Sequence, residues 1–332
     1  MKSKKIPFVL LFFLMGLLCF SNDFQNISVS LEPIFGYQYG TLYEYVYVKA
    51  AGGGTRLLSE LDWKNAVLYA GGRLAISYKI FSFFAGGGAY FPMHSGTIED
   101  SDWLNENDYS MKTNFSISEN SLKSGGFFST GFYASFPVAS ILNVSPTISV
   151  DVQKKHFSGK NGYGWYGDSG NSLNGENVPW NDENAKYYDT GRLQGIDYDR
   201  LDFTAWTGFS IDIIPMRFLR LSFAFDVTLF SLVDSLDTHF GSSFNSYYYD
   251  TCYDFFSCGR AYFDVAFQVS TYIALKASAS YLFPFFKKLR GTTYSSSRES
   301  SGYVVSSSSV PAASSKVWNW SISVVFKDLQ KR

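Results

Sequence analysis

The chain has 332 residues, a formal net charge of −1 and 19% aromatic residues, dominated by 32 Phe and 24 Tyr. A mildly acidic balance with no basic stripe excludes a nucleic-acid partner. Beyond residue 20 there is no run of about 18 apolar residues, which excludes a transmembrane helix.

At the N-terminus, Lys2, Lys4 and Lys5 precede an apolar run over residues 7–20, followed by Ser21-Asn22. A basic segment, an apolar segment and a small residue predict a signal peptide, 1–21, cleaved after Ser21. Cys19 follows Leu17-Leu18, a poor match to the small residue that lipoprotein cleavage wants. The mature chain, 22–332, then carries 25 basic and 29 acidic residues, or −4.

The remaining sequence alternates. Over 219–229, Leu219, Leu221, Phe223, Phe225, Val227 and Leu229 share one face, with Arg220, Ser222, Asp226 and Thr228 opposite. The stretches 261–270 and 273–283 repeat the pattern, and 318–326 places Trp318, Trp320, Ile322, Val324 and Phe326 together. Runs of about 10 alternating residues with an aromatic load are the signature of lipid-crossing strands with a polar interior. A soluble sandwich also alternates, but the signal segment and the length of the runs favour the membrane.

Short turns near 79–80, 136–137, 214–215 and 271–272 alternate with long polar stretches over 158–192 and 291–315. Strands are therefore expected near 26–48, 55–78, 80–99, 108–136, 141–157, 193–214, 217–239, 250–270, 273–291 and 315–326. The fold class is all-β: a ten-stranded antiparallel up-and-down transmembrane β-barrel that extends above the membrane. Ten strands leave little room for an open channel, and inward Glu32, Arg220, Asp226, Asp264 and Lys276 suggest a filled lumen.

Two cysteines remain, Cys252 and Cys258, about 20 Å apart in a continuous strand. A disulfide would need a turn between them; two free thiols are the alternative. Gly86-Gly87-Gly88 reads as close strand packing. Gly167-Asp168-Ser169-Gly170 reads as a polar loop, since these are residues that turns prefer.

Two triplets stand out near strand ends. Asp100-Ser101-Asp102 can aim two carboxylates one way, because residues two apart share a strand face. Two close carboxylates repel, so one is easier to protonate. Asp237-Thr238-His239 can aim a carboxylate and an imidazole together, which fixes the tautomer and raises the basicity of the ring. Parity carried up from Leu229 puts Asp237 and His239 on the lipid side, so a bulge is expected between Phe230 and Leu236.

These triplets, with Glu44-Tyr45-Val46-Tyr47, the stretch 56–64 (RLLSELDWK) and the stretch 95–103 (SGTIEDSDW), resemble the omptin family of outer-membrane proteases. The resemblance implies a narrow barrel in the bacterial outer membrane with a cleft at its outer mouth. It also implies an aspartic-type endopeptidase in which Asp237 orients His239 and a water between His239 and Asp100 attacks the peptide. Asp102 supports the acidic side, and Glu44 binds a basic substrate side chain. The second acid that the family places two residues before Asp237 is Ser235 here, and Asp234 points to the other face of a regular strand. Weakened or altered basic specificity is therefore expected. No cofactor is implied beyond lipopolysaccharide or a similar outer-membrane lipid; the partners are peptide or protein substrates and that lipid, and the barrel is expected to be a monomer. The alternative function is a non-catalytic barrel acting as an adhesin or host-binding protein, with a porin third.

Overall fold

A computed structural model describes residues 27–189, 191, 194–240, 245–285, 289–296, 304–305 and 309–327. The expected signal segment lies outside them. Ten long antiparallel strands run up and down: β1 (Ile27–Lys49), β2 (Thr55–Lys64 and Val67–Tyr78), β3 (Phe81–Tyr90 and Met93–Asp102), β4 (Asn114–Ala134) and β5 (Leu142–Tyr166). They continue as β6 (Gln194–Met216), β7 (Leu219–His239), β8 (Ser246–Asp254 and Cys258–Ser270), β9 (Ile273–Pro284 and Leu289–Ser296) and β10 (Ser309–Lys327). Each pairs with its sequence neighbours, and β1 pairs with β10 through Tyr39↔Trp318 and Glu44↔Ala313, closing the ring.

The strands outrun the expected ones at one end. β5 reaches Tyr166, β9 reaches Ser296 and β10 starts at Ser309, all within stretches expected as loops. Gly, Ser and Asn lower strand propensity but do not prevent pairing when neighbouring strands supply the ladder. The opposite end has short turns, as expected.

A band of outward apolar side chains circles the ring at the short-turn end. Leu31, Phe35, Leu74, Phe128, Ile148, Phe209, Phe223, Phe263, Leu275 and Ile322 are all exposed. In water such a contiguous patch would drive association; in lipid it faces its natural solvent. Aromatic stacks edge the band above: Tyr281 on Trp318 at 4.4 Å and Tyr37 on Trp320 at 6.1 Å. Such girdles sit where bilayer meets water. Within the band, Gly86, Gly87 and Gly88 let β3 press on its neighbours. A Cβ at Gly88 would come within 2.2 Å of the Ala70 carbonyl oxygen.

The lumen at this level is filled with ion pairs, as the inward charges suggested. Arg260 bridges Asp151 and Asp226 and lies over the Trp206 ring. Lys276 pairs with Glu32, Arg220 with Asp212, and Arg73 covers the Phe84 ring. Buried charges persist when each is paired.

Above this network lies a core that floors the outer mouth. Trp63 is fully buried, stacks on Tyr198 at 4.5 Å and leans on Phe157 at 6.1 Å, with Leu61, Val67, Ile98 and Leu122 around it. Trp63→Ala should leave a cavity that strands locked in a ring cannot close. We expect a loss of about 3–5 kcal/mol, read as a lower urea midpoint for unfolding of the refolded protein.

Candidate active site

The upper half of β7 faces inward on the opposite parity from its lower half. Asp226 and Thr228 are buried below; Ser231, Val233, Ser235 and Asp237 are buried above. The pairing with β6 passes from Phe230↔Ala205 to Thr228↔Trp206, so Leu229 is the extra residue of a β-bulge. The expected bulge exists, one residue before the window assigned to it. Its cause is visible on β8, where Phe255 to Ser257 interrupt the ladder. There Thr228 Oγ1 accepts hydrogen bonds from the Ser257 and Cys258 amides at 2.8 and 3.1 Å. The bulge turns Asp237 and His239 toward the mouth.

On β3, two irregularities cancel. The strand breaks at Phe91-Pro92, after which Met93 packs on the core, and a bulge at Ser95 with Gly96 at φ +106° restores the original phase. Ile98, Asp100 and Asp102 thus face inward like Ser82 and Tyr90. β1 reaches Glu44 without a shift against β10, as parity required.

Asp237 and His239 form a close pair, with Nε2 2.6 Å from Asp237 Oδ2 and Tyr248 packed edge-on to the ring at 5.4 Å. Asp237 is 3% exposed, while the imidazole is half-buried and open to the mouth. Asp100 and Asp102 approach from β3. Asn114 Nδ2 donates to Asp102 Oδ2 at 3.3 Å, and Ser59, opposite Asp102 in register, hydrogen-bonds both carboxyls. The buried Asp100 Oδ1 and Asp237 Oδ1 have no hydrogen-bond partner among the described residues.

These groups lie well beyond the apolar band, and their protonation is coupled. Burial, then the neighbouring Asp102, raises Asp100 to about 8, against the pull of His239. Burial also raises Asp102. Burial opposes a charged His239, yet the Asp237 carboxylate outweighs it and holds the ring at about 9, with Asp100 and Asp102 adding to the effect. The imidazole and the two β3 carboxyls therefore act on one another across the mouth. Such a set can hold a water between a base and an acid and move its protons.

Glu44 joins the site from β1, 5% exposed, with Oε2 unpartnered among the described residues. Burial, then Asp237 and Asp250, keeps its carboxyl well above the usual range. Asp250, on β8 directly opposite Ser235, was missed by sequence reasoning. The signal was its parity: Asp250, Cys252 and Arg260 share one strand face, but the expected strand began at 250, its least certain end. Asp234 points away from Ser235, as its parity implied, and pairs with Thr251.

The Gly167 to Gly170 stretch is a loop, as expected. Asp168 accepts the Gly170 amide at 3.1 Å, while its own amide donates to Asn114 Oδ1 at 3.3 Å, so the loop abuts Asp102. Phe115, Trp165 and Trp180 pack beside it, with centroids 4.8 and 5.8 Å apart. Cys252 and Cys258 are free thiols despite the interruption between them. His156 lies 3.2 Å from Asp199, but both sit on the outward face of their strands, away from the mouth. His94 is exposed.

No curated protein matches this chain in sequence. Among solved structures, it is similar to the outer membrane protease OmpT from Escherichia coli, with 15% identity and a TM-score of 0.72. That match covers 91% of this chain and 96% of OmpT. A weaker likeness, 8% identity and a TM-score of 0.36, links it to the translocator domain of the autotransporter NalP from Neisseria meningitidis, over 96% and 94% of the two chains. A family model described as Omptin family matches residues 24–317. This ten-stranded barrel of the bacterial outer membrane therefore belongs to the omptin family, a family of outer-membrane proteases.

Proposed function

We propose that the chain is an endopeptidase that cuts peptides at the extracellular mouth of the barrel with activated water. The observation that carries this is the Asp237–His239 pair opposite Asp100 and Asp102. Asp237 fixes the tautomer and orientation of His239. His239 takes a proton from a water held between it and Asp100, and the resulting hydroxide adds to the scissile carbonyl. When the C–N bond breaks, the departing amine takes up the proton. Asp102, anchored by Asn114, supports the acidic side while charge develops on the carbonyl oxygen. Water is the nucleophile, so no acyl-enzyme forms. Glu44 receives a substrate side chain.

No cofactor takes part in this scheme; outer-membrane lipid such as lipopolysaccharide is the one addition an assay should include. Among the described residues the ten long strands close into a ring within one chain, which supports a monomer.

The test is cleavage of a diverse peptide library by refolded protein with added lipid, beside Asp100→Ala. Cuts by wild type that vanish in the folded variant are expected. A folded wild type that cuts nothing would favour the binding-barrel reading.

A further inference from the structure

We propose that Phe255 and Phe256 seat in the outer leaflet of the bilayer, and that acyl chains packed on them hold the β7 bulge at Leu229. The two rings lie where β8 breaks, between its Ser246–Asp254 and Cys258–Ser270 pieces, and they are 60% and 62% exposed. Phe256 also has a φ of +52°, a left-handed conformation that is rare for a bulky side chain. In water both features are unfavourable: Gly or Asn adopts this backbone with less strain, and a polar side chain is better solvated there. Covered by lipid, the same rings gain the transfer free energy of two buried aromatics.

The occupant follows from the surface that these rings continue. Phe255 packs on Phe230 of β7 at 5.3 Å, and Phe230 meets Phe203 of β6 at 6.4 Å, on the outward face. To the other side, Phe225 of the apolar band meets Phe283 of β9 at 6.5 Å, and Phe283 stacks on Tyr281 of the girdle at 5.6 Å. Phe285 follows at 5.8 Å from Phe283, and its ring lies over Gly259. From Leu219 to Phe230, a strand tilted by about 40° climbs about 25–30 Å, the height of the apolar band of such a barrel. The break therefore meets the upper edge of the hydrocarbon layer, within reach of the acyl chains.

The inner side of the break is tied into the lumen. Ser257 is buried; its amide and that of Cys258 donate to Thr228 Oγ1, and its Oγ donates to Ser231 Oγ at 3.2 Å. Its carbonyl accepts the Phe285 amide at 3.0 Å. Thr228 precedes the extra residue of the bulge, so the break on β8 and the bulge on β7 form one unit. Lipid against the outer rings opposes any swing of the break away from the wall, and so keeps Ser257 against Thr228.

The experiment places the photo-crosslinker p-benzoylphenylalanine at position 256 of the full chain, refolded into dioleoylphosphatidylcholine vesicles. Irradiation should add the mass of a lipid there, and not when the probe replaces the outward Tyr163 near the top of β5. An adduct only with a second copy of the chain, or none, overturns the lipid contact. The double variant Phe255→Ser with Phe256→Asn then gives a test of sign. Asn tolerates the left-handed backbone, so if the break faced water this exchange would leave the urea midpoint unchanged or raise it. With lipid on the rings the midpoint should fall by about 0.5 M or more, and the Ser257 and Cys258 amides should exchange hydrogen faster. Phe255→Trp, which keeps an aromatic suited to the interface, should hold both near wild type. Should the double variant not fold, Phe256→Asn alone takes its place. An unchanged or raised midpoint overturns the lipid seating; a lower midpoint with unchanged amide protection overturns the hold on the bulge. Peptide cleavage enters none of these readouts, so failure of the protease reading leaves this inference standing.

Discussion

His239→Ala is expected to lower kcat/KM by about 10²–10⁴, the usual contribution of a positioned general base. The imidazole is the half-buried group at the mouth, and its Nε2 is engaged by Asp237, so the ring is held rather than free to swing. Removing it leaves Asp100 and Asp102 with no base opposite. Peptide binding, which depends on the pocket around Glu44, should change little, so the loss belongs in kcat. Asp100→Ala should cost a similar factor. The double variant should cost scarcely more than either, since base and acid act on one water. A quenched-fluorescence peptide assay on protein of verified fold measures all three. Activity in His239→Ala above about a tenth of wild type would remove His239 from the proposed mechanism.

Much of this architecture was legible because a membrane barrel is periodic. Outward Phe223, Phe225 and Phe263 must meet lipid, and inward Glu32, Asp226 and Lys276 must find partners, so the alternation itself reports the fold. The triplets were legible for the same reason, since two residues on one strand face are fixed by spacing alone. What spacing cannot reveal is a place where the count changes. Leu229 reversed the parity of everything above it, and its cause is a Thr228 hydroxyl bound to a turn some thirty residues further along. On β3 the break at Phe91-Pro92 and the bulge at Ser95 cancel, so Asp100 and Asp102 have the expected parity, by a route that the simple count does not contain. Asp250 was missed for a related reason. Its place opposite Ser235 depends on β8 beginning at Ser246, before the expected start at 250.

The pH dependence should carry the signature of the coupled site. The working form has His239 able to accept a proton, while the Asp237 carboxylate stabilises the protonated ring and holds it at about 9. Asp100, raised to about 8 by burial and by Asp102, also keeps its proton at neutral pH. The base gains its working form and the acid loses its own as pH rises, so kcat/KM should climb from pH 6 toward about 8 and level off above it, with apparent midpoints that belong to the pair rather than to either residue. Asp237→Asn removes the carboxylate that most favours the charged ring. The His239 midpoint should then move down, by about one unit or more, each unit corresponding to about 1.36 kcal/mol. At low pH this raises the share of neutral imidazole and partly masks the lost orientation. At high pH, where both proteins already hold a neutral ring, the orientation defect stands alone. The deficit of Asp237→Asn relative to wild type should therefore be smallest near pH 6 and grow as pH rises. A deficit that stays constant across that range would mean that Asp237 positions the ring without setting its charge.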